Sequence, residues 1–316
     1  MKIVALDSDT LGKDLPLELL KEVGDITVYG KSTPEEAKAR VTETEVLLIN
    51  KVRVDKDLMD IARGLKLICV FATGFDNIDV GYAKEKGIAV CNVPGYSTDS
   101  VALYTVSTAL ALYTRLNSYS AFVKSGAYSK SGAPNRLEPV YHELRGKVWG
   151  IIGCGNIGGA VARVAEAFGA RVLVNKRTPV KEYNCVDIET LCRESDIITI
   201  HCPLNDKSRN LINKSTIDLM KNDVCIVNSA RGAIINDNDI TEAILNGKIG
   251  AFGSDVYTQE PFGTDHPFNK IKDLDNVILT PHCAWGAYEA RLRCLNIVIS
   301  NIKAFISGEM LNRVDI

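Results

Sequence analysis

The sequence predicts an α/β protein of two domains, each a parallel sheet covered by helices on both faces. Three observations carry this. Before residue 100, short apolar runs alternate with helix-like stretches, the β-α rhythm of a parallel sheet. Gly153-Cys154-Gly155-Asn156-Ile157-Gly158 reads G-x-G-x-x-G and sits between an apolar run and a helical pattern. After it the same rhythm resumes, and a long amphipathic stretch closes the chain. The length, 316 residues, suits two domains of ordinary size.

Taken in order, the first apolar runs are residues 3–6, 26–29, 46–49, 67–71 and 88–91. Helix-like stretches fall between them at 15–23 (opened by Pro16), 34–41, 57–63 and 80–86. None of these turns carries a glycine fingerprint, so the first domain is α/β without being the nucleotide-binding one. From about Ser97 a helix runs through Val101, Thr105, Val106, Ala109, Leu110 and Leu112. Residues 117–147 read as an irregular polar arm dotted with Tyr119, Phe122, Tyr128 and Tyr141, a pattern of packing or subunit contact. The second domain continues with strands at 197–200, 224–228, 249–254 and 277–280. Beyond Ala287, the stripe Leu292, Leu295, Val298, Ile302 and Phe305 needs an apolar partner and is expected to return to the first domain.

The glycine motif is informative because of its setting. Upstream, residues 146–152 form a turn and an apolar strand; downstream, Ala160, Val161, Val164, Ala165 and Phe168 fall at helical spacing; a second strand, 171–174, follows. Strand, glycine turn, helix and strand within about thirty residues form a dinucleotide-binding unit. Gly153 permits the turn, Gly155 the approach of a pyrophosphate, and Gly158 close helix–strand packing. The N–H groups at the start of the following helix face the phosphates, and Asn156 and Ile157 of the motif are expected at the cofactor with the glycines. At the end of the second strand, where an acid usually bonds a ribose 2′-hydroxyl, stand Asn175, Lys176, Arg177 and Thr178. Two cations and a hydroxyl suit a 2′-phosphate, and so favour NADP with NAD still possible. The alternative is a solvated Lys-Arg pair.

Composition sets the class. The chain is 46% hydrophobic and 24% charged with net charge −2, so no basic field recruits nucleic acid or an acidic membrane. Asp7 comes too early for a signal-peptide core, and no apolar run reaches the roughly 18 residues of a membrane span. Nine scattered cysteines without a C-x-x-C pair argue against a disulfide framework or a zinc site and predict a reduced, cytoplasmic chain.

Four histidines narrow the search for chemistry. His142 and His266 read as surface or structural. His201, in His201-Cys202-Pro203, ends a strand at the edge where such sheets bind ligands, and is placed near the cofactor. His282 also follows a strand. Arg231, in Asn228-Ser229-Ala230-Arg231-Gly232, can clamp a carboxylate with its fork, and Glu260 can hold a histidine ring in its protonated form. Arg231, Glu260 and His282 on three successive strand ends suit reduction of a 2-oxo acid.

These blocks, with Ala72-Thr73-Gly74-Phe75-Asp76-Asn77 and Asp255-Val256, make the chain resemble the D-isomer-specific 2-hydroxyacid dehydrogenase family over nearly its whole length. The resemblance implies a Rossmann cofactor domain, 101–285, inserted into a flavodoxin-like substrate domain of 1–100 plus 286–316. It implies that Arg231, Glu260 and His282 are catalytic and that the arm at 117–147 makes a homodimer contact. It further implies cofactor contacts from Thr98, Ser229, Ala230 and Asp255, the last accepting from the nicotinamide carboxamide. Lys51, Thr73, Gly74 and Trp285 are expected at the substrate. Within the family, 94–102, Asn50-Lys51 and His282-Cys283-Ala284-Trp285 resemble glycerate dehydrogenases (hydroxypyruvate reductases). Departures are Asn175 in place of an acid, Leu103 where many members carry Glu, and Trp285 at a position often filled by a small residue. The two-domain layout implies a cleft that closes around the reaction. Competing readings are a non-catalytic NAD(P)-binding corepressor-like sensor, against which the absence of further domains argues, and D-lactate or phosphoglycerate dehydrogenase.

Overall fold

The computed structural model describes all 316 residues, in two compact units, 1–97 with 286–316 and 98–285. In the first unit, β1 (Lys2–Ala5), β2 (Asp25–Val28), β3 (Val46–Ile49), β4 (Leu67–Val70) and β5 (Ala89–Cys91) form an all-parallel sheet of order β2-β1-β3-β4-β5. That is the flavodoxin-like order. Connecting helices are α1 (Pro34–Arg40), α2 (Lys56–Ile61) and α3 (Val80–Glu85). Thr33 and Glu36 form a capping box on α1, and Asp55 and Asp79 cap α2 and α3, satisfying N–H groups left over at each start.

The first connection departs from expectation. Residues 17–22 form a 3-10 turn instead of an α-helix, with few residues to extend beyond Pro16 before the strand at Asp25. One core gathers Leu47, Ile49, Ile68, Val70 and Val90. The closing helix, α11 (Tyr288–Ile306), packs against β4, as its apolar stripe requires.

The second unit opens with α4 (Thr98–Tyr113). The arm is more ordered than its composition suggests: it contains α5 (Leu116–Lys124) and α6 (Ala127–Ser131), neither with a buried residue. Seven parallel strands follow, ordered β12-β11-β10-β9-β6-β7-β8. They are β6 (Val148–Ile152), β7 (Arg171–Asn175), β8 (Asn184–Cys185), β9 (Ile197–Ile200), β10 (Val224–Asn228), β11 (Ile249–Ser254) and β12 (Val277–Leu279). The helices are α7 (Asn156–Ala167), α8 (Ile188–Glu194), α9 (Lys214–Leu219) and α10 (Asp237–Leu245), and α11 (Tyr288–Ile306) completes the first unit.

Strand alternation divides the apolar residues between two cores. Ile198, Ile226 and Phe252 join one cluster, while Ile197, Cys225 and Ala251 join another. A strand run apolar at every position is the signature of a sheet covered on both faces. None of the nine cysteines is in a disulfide, and no helix is long and apolar enough to cross a membrane.

Candidate active site

Sheet register aligns the strand ends. Asn175, Ile152, Ile200, Asn228, Ser254 and Leu279 are cross-strand partners in one row. Just beyond that row come Gly153, His201, Ser229, Asp255 and Thr280. Chemistry-bearing residues scattered over a hundred positions are thus brought to one edge by parallel pairing alone.

At the glycine turn the backbone approaches closely. Gly153 has φ +90°, and a Cβ there would lie 2.5 Å from the Cys202 nitrogen. At Gly158 a Cβ would fall inside contact distance of the Gly153 carbonyl oxygen, so both glycines are sterically obligatory. Above Gly155 a Cβ would meet nothing within 4 Å, and no side chain caps α7. Open space over the uncapped N-terminus of a 12-residue helix fits a pyrophosphate held by Gly155, Asn156, Ile157 and Gly158. Burial pushes the Cys154 thiol up. Arg177 and Thr178 are exposed. Asn175 donates its side-chain amide to the Val186 carbonyl at 2.9 Å, tying β7 to the start of the next segment.

His201 is unsuited to proton transfer. Its Nε2 is buried without a protein partner, and burial lowers its pKa to about 3, so the ring stays neutral. Its backbone N–H bonds Ile152 at 2.7 Å, and Cys202 and Pro203 continue the chain past the glycine turn.

Arg231 follows β10 in a turn held by Asn228, whose amide donates to the Arg231 carbonyl at 2.9 Å and whose oxygen accepts from Ala230 N at 3.1 Å. The guanidinium donates to the Ala230 carbonyl at 2.8 Å. Ser229 and Thr105 share a hydroxyl bond of 2.7 Å that joins this turn to α4. Gly232 packs directly on the Tyr257–Thr258 peptide; a Cβ there would overlap the Tyr257 carbonyl carbon.

His282 occupies a left-handed conformation, φ +51°, uncommon for any residue but glycine. Five contacts surround it. Asp255, 4% exposed, accepts from Thr280 Oγ1 at 2.6 Å, Cys283 N at 2.9 Å and Ala284 N at 2.8 Å. Trp285 Nε1 donates to the His282 carbonyl at 2.8 Å, and His282 N donates to Thr280 O at 3.0 Å. The ring faces Glu260, with Nδ1 2.6 Å from Oε2. A carboxylate only accepts, so Nδ1 carries the hydrogen and Nε2 is the nitrogen left for substrate chemistry. Glu260 Oε1 accepts from Tyr257 N at 3.0 Å.

In the first unit, Lys51 lies in a loop whose N–H groups at Asn50, Lys51 and Val52 bond the Asp7 carboxylate at 2.9, 2.6 and 3.0 Å. Thr73 donates its hydroxyl to Val93 O at 2.8 Å and its carbonyl accepts from Asn92 at 2.8 Å, fixing the turn that leads into Gly74. Asn77 donates to the Val52 carbonyl at 2.8 Å. Asp7, Asn228, Tyr257 and the Trp285 indole as donor to the His282 carbonyl are roles that motif reading did not supply.

The second unit's Rossmann-type sheet carries an Arg, a Glu–His pair and an open glycine turn on one edge, an arrangement suited to nucleotide-dependent redox chemistry on a small acid. Residues 106–284 match the profile of the D-isomer specific 2-hydroxyacid dehydrogenase, NAD binding domain. The chain belongs to the D-isomer-specific 2-hydroxyacid dehydrogenase family and is an oxidoreductase of 2-hydroxy acids. It is 33% identical to a hydroxypyruvate reductase of Blautia hydrogenotrophica, with 100% of both chains covered. An acyclic imino acid reductase solved with NADPH and D-Arg superimposes with TM-score 0.86 at 30% identity, covering 99% of this chain and 100% of that one. A D-lactate dehydrogenase of Aquifex aeolicus solved with NAD and lactic acid gives TM-score 0.86 at 29% identity, covering 98% and 96%.

Proposed function

We propose that the protein reduces a small 2-oxo acid of the hydroxypyruvate or glyoxylate type to the D-2-hydroxy acid, preferring NADPH. The observation that carries this reading is the 2.6 Å pair between Glu260, which follows β11, and His282, which follows β12, on the strands next in order to β10 and its Arg231 turn. When bound, the nicotinamide cofactor supplies the hydride. His282 donates a proton from Nε2 to the carbonyl oxygen, and Glu260, bonded at Nδ1, orients the ring. Arg231 binds the carboxylate through its bidentate fork. Lys51, Thr73, Gly74 and Trp285 bind the substrate in the same reading, and Thr98, Ser229, Ala230 and Asp255 the cofactor. The name of the Blautia relative supports the substrate class.

Lys176, Arg177 and Thr178 support NADPH, since a phosphate there would meet two cations, with Asn175 in place of the usual acid. A test by Asn175→Asp carries a second effect, because the carboxylate replaces the donor that holds Val186. Arg177→Ala with Lys176→Ala is the cleaner pair: the ratio of kcat/KM for NADPH over NADH should fall. A homodimer through the arm is supported by exposed Leu116, Val123, Leu137, Val140 and Tyr141, and light scattering of the full chain tests it.

The decisive assay follows NADPH and NADH oxidation over a panel of 2-oxo acids, with His282→Gln alongside. Turnover should drop at least about 100-fold in that variant with cofactor affinity kept. Near-normal turnover would remove His282 from the chemistry.

A further inference from the structure

Glu260 sits in the loop from Tyr257 to His266, and both flanks of that loop converge on one carboxylate outside the strand-end row. Asp237, the first residue of α10, accepts from Thr258 Oγ1 at 2.7 Å and pairs with His266 Nε2 at 3.1 Å. The His266 and Asp237 side chains are 8% and 9% exposed. His266 Nδ1 accepts from Phe268 N at 3.2 Å, so its hydrogen resides on Nε2 and points at Asp237. Phe262 and Phe268 flank the ring, each with its centroid 4.8 Å away. Tyr257 closes the other side, its phenol donating to the Thr280 carbonyl at 2.8 Å in the turn that carries His282.

From these contacts we infer that Asp237 is a positioning residue that sets Glu260 against His282 by holding Thr258 and His266. The inference rests on the reading of His282 as the acid. A drift of about 1 Å at Glu260 takes the pair beyond hydrogen-bond distance, so small loop motions matter here. The other groups around the His282 turn do not mask the effect. Burial raises the pKa of Tyr104, Tyr257 and Cys283, keeping them neutral near pH 7. Asp255 lies beneath the turn and Arg231 on the β10 side, and neither is altered in these variants. Glu260 is the charge that loop movement changes.

The test is the pH profile of kcat and KM for oxo-acid reduction by the full chain. Glu260→Gln removes the charge 2.6 Å from Nδ1 and should move the alkaline limb to lower pH. Asp237→Ala should move it the same way by a smaller step, with activity beyond the limb falling roughly tenfold per unit. Asp237→Asn should largely restore the profile, because an amide oxygen at Oδ2 keeps both bonds while the amide nitrogen replaces Oδ1, which has no protein partner. Thr258→Val and His266→Phe keep volume and repeat the test if Asp237→Ala folds poorly. A Glu260→Gln shift with an Asp237→Ala loss equal at every pH overturns the positioning role and leaves the acid reading intact. An unmoved limb in Glu260→Gln overturns the acid reading itself. An Asp237→Asn profile displaced as far as that of Asp237→Ala overturns the hydrogen-bond account.

Discussion

Asp7 in the first unit and Asp255 in the second are buried carboxylates, 7% and 4% exposed, that gather successive backbone N–H groups. Asp7 takes three, from Asn50 to Val52, where β3 ends and the chain turns toward Lys51. Asp255 takes those of Cys283 and Ala284 with the Thr280 hydroxyl, and encloses a histidine at φ +51°. The difference lies in what would happen without them. A left-handed non-glycine residue costs on the order of 1–3 kcal/mol and persists only when its surroundings enforce it. Asp255 therefore holds a conformation that His282 would otherwise leave, while Asp7 satisfies donors at the end of an unstrained strand.

Substitution at the two sites should separate chemistry from stability. Asp255→Ala should lower kcat on the order of 100-fold, as for a catalytic group misplaced by about 1 Å, and by more than its stability loss accounts for. NADPH affinity measured alongside identifies any part due to cofactor contact. If kcat per folded molecule is retained, the enforcing role is wrong. Asp7→Ala should give the opposite balance. Each N–H left buried and unpaired costs about 1–3 kcal/mol, so melting temperature should fall and KM rise while turnover at saturation survives. A kcat loss matching that of Asp255→Ala would erase the contrast.

The smallest effect concerns His201, a buried group that holds no loop. Its folded pKa is lowered to about 3 from an ordinary 6.5, so below pH 6.5 the unfolded chain binds a proton that the folded chain refuses. Its contribution is present above that value and lost as pH falls toward 3. Thermal melts between about pH 7 and pH 4 should show a flatter acid slope in His201→Gln than in the parent. Parallel slopes would mean that the ring finds water or a partner.

The sheets were legible because strands buried on both faces leave unbroken apolar runs, as at Val46–Ile49 and Ile197–Ile200. The edge strand Asn184–Cys185 has two residues and no such run, and α5 and α6 bury nothing, so neither left a pattern to read. Arg231, Glu260 and His282 stood out because each closely follows a strand. Asp237 and His266 did not, since their pairing spans 29 positions and depends on where α10 starts relative to a loop. The amide of Asn175 was visible as a missing acid, but its bond to Val186 depends on how β8 docks against β7.

Gly232 has a further consequence. A methyl group there would overlap the Tyr257 carbonyl and push the turn bearing Arg231 away from the loop bearing Glu260. Every reactive side chain would remain in place in the sequence, and the nucleotide turn at 153–158 would be untouched. Gly232→Ala is therefore expected to lower turnover while dinucleotide binding survives, a loss that the presence of Arg, Glu and His in the sequence would not reveal.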